Sequence, residues 1–585
     1  MEEALRTSLT DGGFLLQGIR LSDCLEEADI AEQMRDVAFH ARQRTGSKES
    51  RFDRYVRLAA AALLLRKATG QRDAVVTTAI QKLNLSVRAE TKQRARKAKP
   101  RPRGVAFLFR NVMHPKEVER LRKLYDRQFF LISIYSPEDS RQRNLASRLG
   151  DGRRQGANNA QEDHARELIR SETEYFKLNQ QYEKQYANVR RLVTDIPKTF
   201  QHGDLFLDAS DSRNPEHIRR FIELVFGHPF HTPSSDEVGM ADAFAAALQS
   251  GNLARQVGAA ITTDSGDLLA VGTNDVPRPG GGVYRSDDKE DHRDWNSARG
   301  DFERGFDGSD TTRRHVLGDL VHRMLADPDW LRSLDEVLQE AITEDRNIDC
   351  GHRLAELLET KSQVQGDEEF LHNTAELDPV IDALIGSDLI WESQFFDVLE
   401  YGRTMHAEMD AITSAARKGI SVRDATLYVT TLPCHECARL IIGAGIRRVI
   451  FIEPYEKSRV DQLYDSEIRF TTLSESRERH TTDQRVDFVP YVGISPRRFQ
   501  ELFAFVPRKA EDLPGSPRRL TGLKASWEIS SSPIRESIAS ESAMNSYRRL
   551  EDLLDHEQQL IDELAKALTK GGLADSKKGA SSASS

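Results

Sequence analysis

LYVTTLPCHECARLIIGAGIRRVIFI, residues 427–452, is the stretch whose pattern decides the fold. Leu427–Thr431 is a β-branched and aromatic run, ARLIIGAGI places apolar residues at helical spacing, and RRVIFI resumes as an apolar run of strand type. Strand, helix, strand in so short a span predicts two parallel strands with the helix as the crossover, because antiparallel neighbours need only a tight turn. The junction between the first strand and the helix holds Pro433, Cys434 and Cys437. A Cys-x-x-Cys pair at a helix start lets both sulfurs converge on one ion, and the helix amides stabilise the anionic thiolates.

Upstream stands Thr404-Met405-His406-Ala407-Glu408. His406, Cys434 and Cys437 together offer one imidazole and two thiolates. That set suits Zn²⁺ and leaves the fourth tetrahedral position open to water, as a catalytic zinc requires. Glu408, two residues beyond His406, is too close to be a fourth ligand on the same turn but near enough to serve the water as acid and base. A structural zinc knuckle closed by His435 or another residue is the alternative. A redox dithiol is another, although the surroundings are not thioredoxin-like. His435 is expected to point away from the metal and make a local contact. Cys24 and Cys350 have no partner at metal spacing, so buried or incidental thiols are expected there.

Further out, VGAAITT (257–263) and LLAVGTN (268–274) flank Asp264, Ser265 and Gly266, which predicts an antiparallel hairpin and, with the parallel pair, a mixed sheet. A domain boundary is expected near 228–236, where Pro and Ser punctuation leads into an Ala-rich helix. Residues 1–228 alternate helical and strand patterns, with apolar runs at Phe14–Ile19, Val105–Phe109, Phe129–Tyr135 and Asp204–Leu207, which reads as an α/β domain. The second domain is expected over 236–510, with a polar, helical insertion at about 285–393. Residues 511–585 form a C-terminal extension whose tail, SKKGASSASS, has the composition of disorder.

With 585 residues the chain exceeds what one core supports, and 38% hydrophobic with 30% charged residues suits a globular protein. The net charge of −10, from 93 acidic and 83 basic residues, argues against a surface built for general nucleic-acid binding. The basic run Arg88–Arg103 lacks interleaved aromatics and reads as a solvated helix entering an extended linker, with phosphate or RNA binding as the alternative. No stretch approaches the roughly 20 apolar residues of a membrane span. No signal-peptide pattern opens the chain, so a cytoplasmic location without membrane association is expected.

The zinc-type block, with LARQVGAAITTDSGDLLAVGTNDVP (253–277) and GAGIRRVIFIEPYEKSRVDQLYDSEI (443–468), resembles the deoxycytidylate and cytidine deaminases, in the fused form that serves as bacterial anti-phage dCTP/dCMP deaminase. H-x-E followed by P-C-x-x-C is the signature of zinc-dependent base deaminases. The resemblance implies a cytidine-deaminase-like α/β/α domain with a mixed sheet, deoxycytidine nucleotides as substrates, and a homo-oligomer. It also places Asn274 on the deoxyribose, while plain turn chemistry before Asp275 and Pro277 stays open as the other reading. Arg255, Tyr455, Lys457 and Ser458 fall, by the same likeness, on the phosphate side of the nucleotide, against the plain reading of solvated surface groups. A deaminase editing bases within nucleic acid and a catalytically silent nucleotide sensor are the competing functions. The acidic stretch 287–310 weighs against the first and Glu408 against the second.

Residues 104–226 resemble the P-loop-kinase-like domain of the fused family, yet the chain has no G-x-x-x-x-G-K-[ST], and TGSK at 45–48 lacks the leading glycine. The opening MEEALRTSLTDGGFLLQGIRLSDCLEE resembles the helix and strand that follow a P-loop. The expectation is therefore a chain that starts late, or one whose first strand and loop have degenerated. On the second alternative the N-terminal half is a regulatory or assembly module, which by family likeness senses infection or contacts an inhibitory small RNA.

Overall fold

The computed structural model describes residues 1–11, 14–27, 51–81, 83, 104–150, 159–173, 194–226, 231–252, 255–289, 293, 312–313, 316–320, 402–455, 458–478 and 483–503. The basic run Arg88–Arg103, Cys350, Lys457, most of the expected insertion and the C-terminal extension lie outside these residues. No helix among the described residues is long and apolar enough to cross a membrane.

The fold is mixed α/β. In chain order, α1 (Glu2–Asp11), β1 (Phe14–Arg20), α2 (Leu21–Glu27), α3 (Arg51–Thr69), β2 (Gly104–Arg110) and α4 (Pro115–Tyr125) come first. Then follow β3 (Ile132–Tyr135), β4 (Leu205–Asp208), α5 (Asn214–Val225), α6 (Ser235–Ala247), β5 (Gly258–Thr262), β6 (Leu268–Thr273) and α7 (Ala407–Arg417). The last group is β7 (Thr426–Thr431), α8 (His435–Ala444), β8 (Arg448–Glu453), β9 (Ile468–Phe470), β10 (Val486–Pro490), β11 (Gly493–Ile494) and α9 (Pro496–Phe503). Each apolar run singled out in the first 228 residues contains a strand. The strands form two parallel pairs, β1 with β2 and β3 with β4, in separate sheets.

Six strands make the main sheet in the order β6-β5-β7-β8-β10-β9. β7, β8, β10 and β9 run parallel, and the expected crossover joins β7 to β8 through α8. β7, β8 and β10 are buried along nearly their whole length, which is why they read as continuous apolar runs and not as alternating ones. β5 and β6 form the hairpin, closed by Thr263 N–H to Asp267 O at 2.9 Å and Asn274 N–H to Val257 O at 3.1 Å.

The chain divides into two compact units. One comprises Met1–Phe244, Ala260–Leu269 and Val422–Ser585. Its N-terminal core gathers Leu21, Cys24, Leu65, Val76, Ile80 and Leu121 around α2, α3 and α4, so Cys24 is a buried thiol in packing. Its second anchor is Glu237 on α6. That carboxylate is 1% exposed and receives both Nη groups of Arg220, at 2.7 and 2.8 Å, and the N–H of Ile494 at 2.9 Å. Ile494 lies on β11, which pairs antiparallel with β4 and so adds a C-terminal strand to the sheet of β3 and β4.

The other unit comprises Ala245–Ala259 and Ala270–Ser421. In it α7 rests on β6 with no side chain between them at Gly272. A Cβ there would stand 2.2 Å from Ala407 O and 2.3 Å from Ala411 N. The edge N–H of Thr273 is taken by Asp410 Oδ2 of α7 at 3.1 Å. Because the obstacle at Gly272 is backbone, which cannot swing aside, Gly272→Ala is expected to cost about 2–3 kcal/mol of stability, read as a lowered urea midpoint of the purified protein.

α4 carries a pH-sensitive cap. Neutral His114 Nδ1 accepts the Lys116 N–H at 3.0 Å, and Glu117 Oε2 closes the capping box on His114 N–H while Oε1 pairs with buried Arg66. Burial, then the guanidinium groups of Arg66 and Arg72, push His114 from the usual 6.5 down to about 4. The folded state thus resists protonation that the unfolded chain accepts. The cap's contribution is complete above pH 6.5 and is lost as the pH falls towards 4. Denaturation followed by circular dichroism should show the urea midpoint falling over that window in wild type and falling less in His114→Asn, whose amide caps without titrating.

Candidate active site

The residues that matter sit at helix starts. His406 is the N-cap of α7 and Cys434 the N-cap of α8, and neither side chain caps its own helix. Cys437 follows in the first turn of α8. The imidazole and the two sulfurs lie within 4.8 Å of one another, His406 half-buried and both cysteines buried. Among the described residues this is the group of His, Cys, Asp and Glu side chains close enough together to hold a metal ion. No described cysteine is in a disulfide. One borderline and two soft donors, shielded from water, fit a zinc-type ion, and both helix N-termini favour anionic sulfur there.

Glu408 stands in the first turn of α7 and is 4% exposed. It is not one of the clustered ligands. His435, expected to face away, is likewise outside the cluster, and its Nδ1 is buried without a hydrogen bond. Pro433 and Cys434 follow the C-terminal end of β7. Beside that end, Leu432 N–H donates to Glu453 O of β8 at 2.8 Å. The crevice at the carboxyl ends of parallel strands is the place where such sheets hold ligands.

The substrate-side residues fall in two places. Asn274, 7% exposed, uses its amide on backbone: Oδ1 accepts the Val257 N–H at 2.6 Å and Nδ2 donates to Arg255 O at 2.7 Å. Both bonds reach backbone 17 and 19 positions away, and they leave the amide one N–H and one lone pair. Arg255 is half-buried beside it, its own N–H donating to Asn252 Oδ1 at 3.3 Å. Ser458 Oγ donates to Pro433 O at 2.8 Å and Ser458 N–H to Tyr455 O at 3.0 Å, so Tyr455 and Ser458 brace the turn that enters α8. Lys457 lies outside the described residues.

Two carboxylates near the His406 segment escaped the sequence reading. Burial raises the pKa of Asp410, which partners Thr273 N–H through Oδ2 while its Oδ1 has no hydrogen bond. Its only sequence signal is its place one helical turn after His406. Asp275 is 2% exposed, and its carbonyl accepts the Met405 N–H at 2.9 Å. In the sequence it looks like an ordinary turn residue.

Residues 394–486 match the family model of the MafB19-like deaminases. The chain is 46% identical over 55 residues to the deoxycytidylate deaminase of Enterobacteria phage T2, a stretch covering 9% of this chain and 29% of that protein. It is 44% identical over 54 residues to ComE operon protein 2 of Bacillus subtilis (strain 168), 9% and 29% of the two chains. With the deoxycytidylate deaminase of Homo sapiens it shares 38% identity over 68 residues, 12% and 33%. The chain therefore spans about a third or less of the length of these relatives. Among solved structures, the dCMP deaminase of cyanophage S-TIM5 in apo form aligns with 45% of this chain and 100% of its own at 12% identity, with a TM-score of 0.19. The family model and these relatives support a deaminase domain that includes residues 394–486.

Proposed function

We propose that this protein is a zinc-dependent hydrolase that deaminates free deoxycytidine nucleotides, dCTP, dCMP or both, to the corresponding deoxyuridine nucleotides. The observation that carries this reading is the convergence of His406, Cys434 and Cys437 while the neighbouring Glu408 stays outside the ligand group. The relatives named deoxycytidylate deaminases support the substrate class.

Zinc, when bound by these three side chains, supplies Lewis acidity and makes water a nucleophile near neutral pH. The chain's own part is proton transfer and orientation. Glu408 takes a proton from the attacking water and delivers it to the departing amine, so that a C–O bond forms at ring C4, the C–N bond breaks and ammonia leaves. Its burial keeps solvent from competing for that proton. On this reading Asn274 directs its remaining N–H to the deoxyribose, and Arg255, Tyr455, Lys457 and Ser458 line the phosphate side. We further read residues 1–228 as a regulatory, P-loop-kinase-like module, 236–510 as the deaminase domain and 511–585 as an extension. The physiological outcome would be depletion of a DNA precursor during phage infection, in a cytoplasmic homo-oligomer restrained by a small RNA.

Incubating the purified protein with dCTP, dCMP, deoxycytidine and single-stranded DNA tests the reading. Ammonia release from the mononucleotides, lost at least ~10³-fold in Glu408→Ala while zinc content stays at wild-type level, is the expected result. Release from the polymer alone would point to base editing, and zinc binding without any release to a silent sensor. In parallel, Cys434→Ser or exhaustive chelation should remove both metal, by elemental analysis, and activity, and zinc should restore activity to the chelated wild type but not to the variant.

A further inference from the structure

We propose that Arg293 is a positioning residue for the His406 side of the metal-binding group, acting through Asp275. The proposal rests on the zinc reading above. Asp275 is 2% exposed and Arg293 5%, so both charges are withdrawn from water. The Asp275 carboxylate accepts the Val276 N–H through Oδ1 at 2.8 Å and the Gly251 N–H through Oδ2 at 2.9 Å, and Arg293 Nη1 lies 3.4 Å from Oδ2. The backbone of the same residue forms an isolated antiparallel bridge with Met405, immediately before His406.

A second tie runs alongside. Asn252 Nδ2 donates to Thr404 Oγ1 at 3.0 Å, Asn252 N–H donates to Ser250 Oγ at 3.1 Å, and that hydroxyl donates to Asn274 O at 2.6 Å. Residues 250–252, 274–276 and 404–405 thus form one hydrogen-bonded cradle whose product is the placement of His406 at the start of α7. Arg293 neutralises the carboxylate at its centre. A buried carboxylate deprived of its counter-charge takes up a proton or draws in water, and either response loosens the hydrogen bonds it was accepting. Arg293 falls within the stretch expected as an insertion, and this one residue of it joins the cradle through Asp275.

Outer residues that orient a metal ligand typically govern 10–100-fold of the metal affinity. Full-length wild type, Arg293→Ala, Arg293→Lys, Asp275→Asn and the Asp275→Asn/Arg293→Ala pair should be compared by zinc competition with a chromophoric chelator, by absorption of the cobalt-substituted protein, and by kcat and KM. Arg293→Ala is expected to weaken zinc binding about 10–100-fold, to shift the cobalt bands, and to lower kcat more than it raises KM. Arg293→Lys should recover part of the loss, and the double variant should lose less than the product of the single losses, because both act on one pair. Zinc affinity within twofold of wild type and unchanged cobalt bands in Arg293→Ala overturn the proposal, as do single losses that multiply independently. Should Arg293→Ala fail to fold, Arg293→Lys and Asp275→Asn decide, with at least threefold weaker zinc expected and wild-type affinity in both overturning it. A wild type that takes up no zinc overturns the metal reading itself, an outcome distinct from a wild type and variant that load equally well.

Discussion

The close approach of α7 to β6 at Gly272 is the constraint from which the His406 side of the site follows. With no Cβ between helix and strand, the backbone of Ala407 and Ala411 lies directly over the hairpin edge, and Asp410 can reach the Thr273 N–H that an edge strand leaves unpaired. Helix and strand are thereby held by backbone geometry and one carboxylate, not by a pile of adaptable side chains. His406 is the N-cap of that helix and Glu408 lies in its first turn, so their positions inherit its rigidity. A larger residue at 272 would lift the helix and both functional groups together.

The three candidate ligands share a second property, their location at helix N-termini that do not use them as caps. An N-cap cysteine or histidine gives up a capping hydrogen bond worth about 1 kcal/mol, which a bound cation can more than offset. Helix N-terminal amides in general favour anionic sulfur, and Cys434 and Cys437 both stand at that end of α8. Metal holding and helix termination are in this sense one arrangement, since the same residues start the helix and present the donors.

Three buried carboxylates of the described chain are handled in the same way. Glu117 with Arg66, Glu237 with Arg220 and Asp275 with Arg293 each combine a guanidinium with backbone N–H groups on one carboxylate. A bare ion pair at such depth barely repays its desolvation, whereas added N–H donors complete the carboxylate's hydrogen bonding and fix which chain segments meet. Glu237 fixes α6 against β11, and Glu117 fixes α4 against α3. These pairs specify connections more than they add stability.

Local pattern alone was enough to determine several features of this protein. The apolar runs on either side of the Cys-x-x-Cys dictated parallel β7 and β8 with α8 between them, the Asp-Ser-Gly turn dictated the β5–β6 hairpin, and the spacing of His406, Cys434 and Cys437 identified the group that the fold gathers. Each depends on neighbours within one or two elements, where periodicity and turn chemistry carry the information. Tertiary structure alone decided that β11 completes the sheet of β3 and β4, that the Asn274 amide spends itself on the backbone of residues 255 and 257, that Ser458 braces Pro433, and that Arg293 neutralises Asp275. A side chain's composition shows what it can bond but not what stands opposite it. Those partners come from segments distant in the chain, and only the folded backbone brings them within reach.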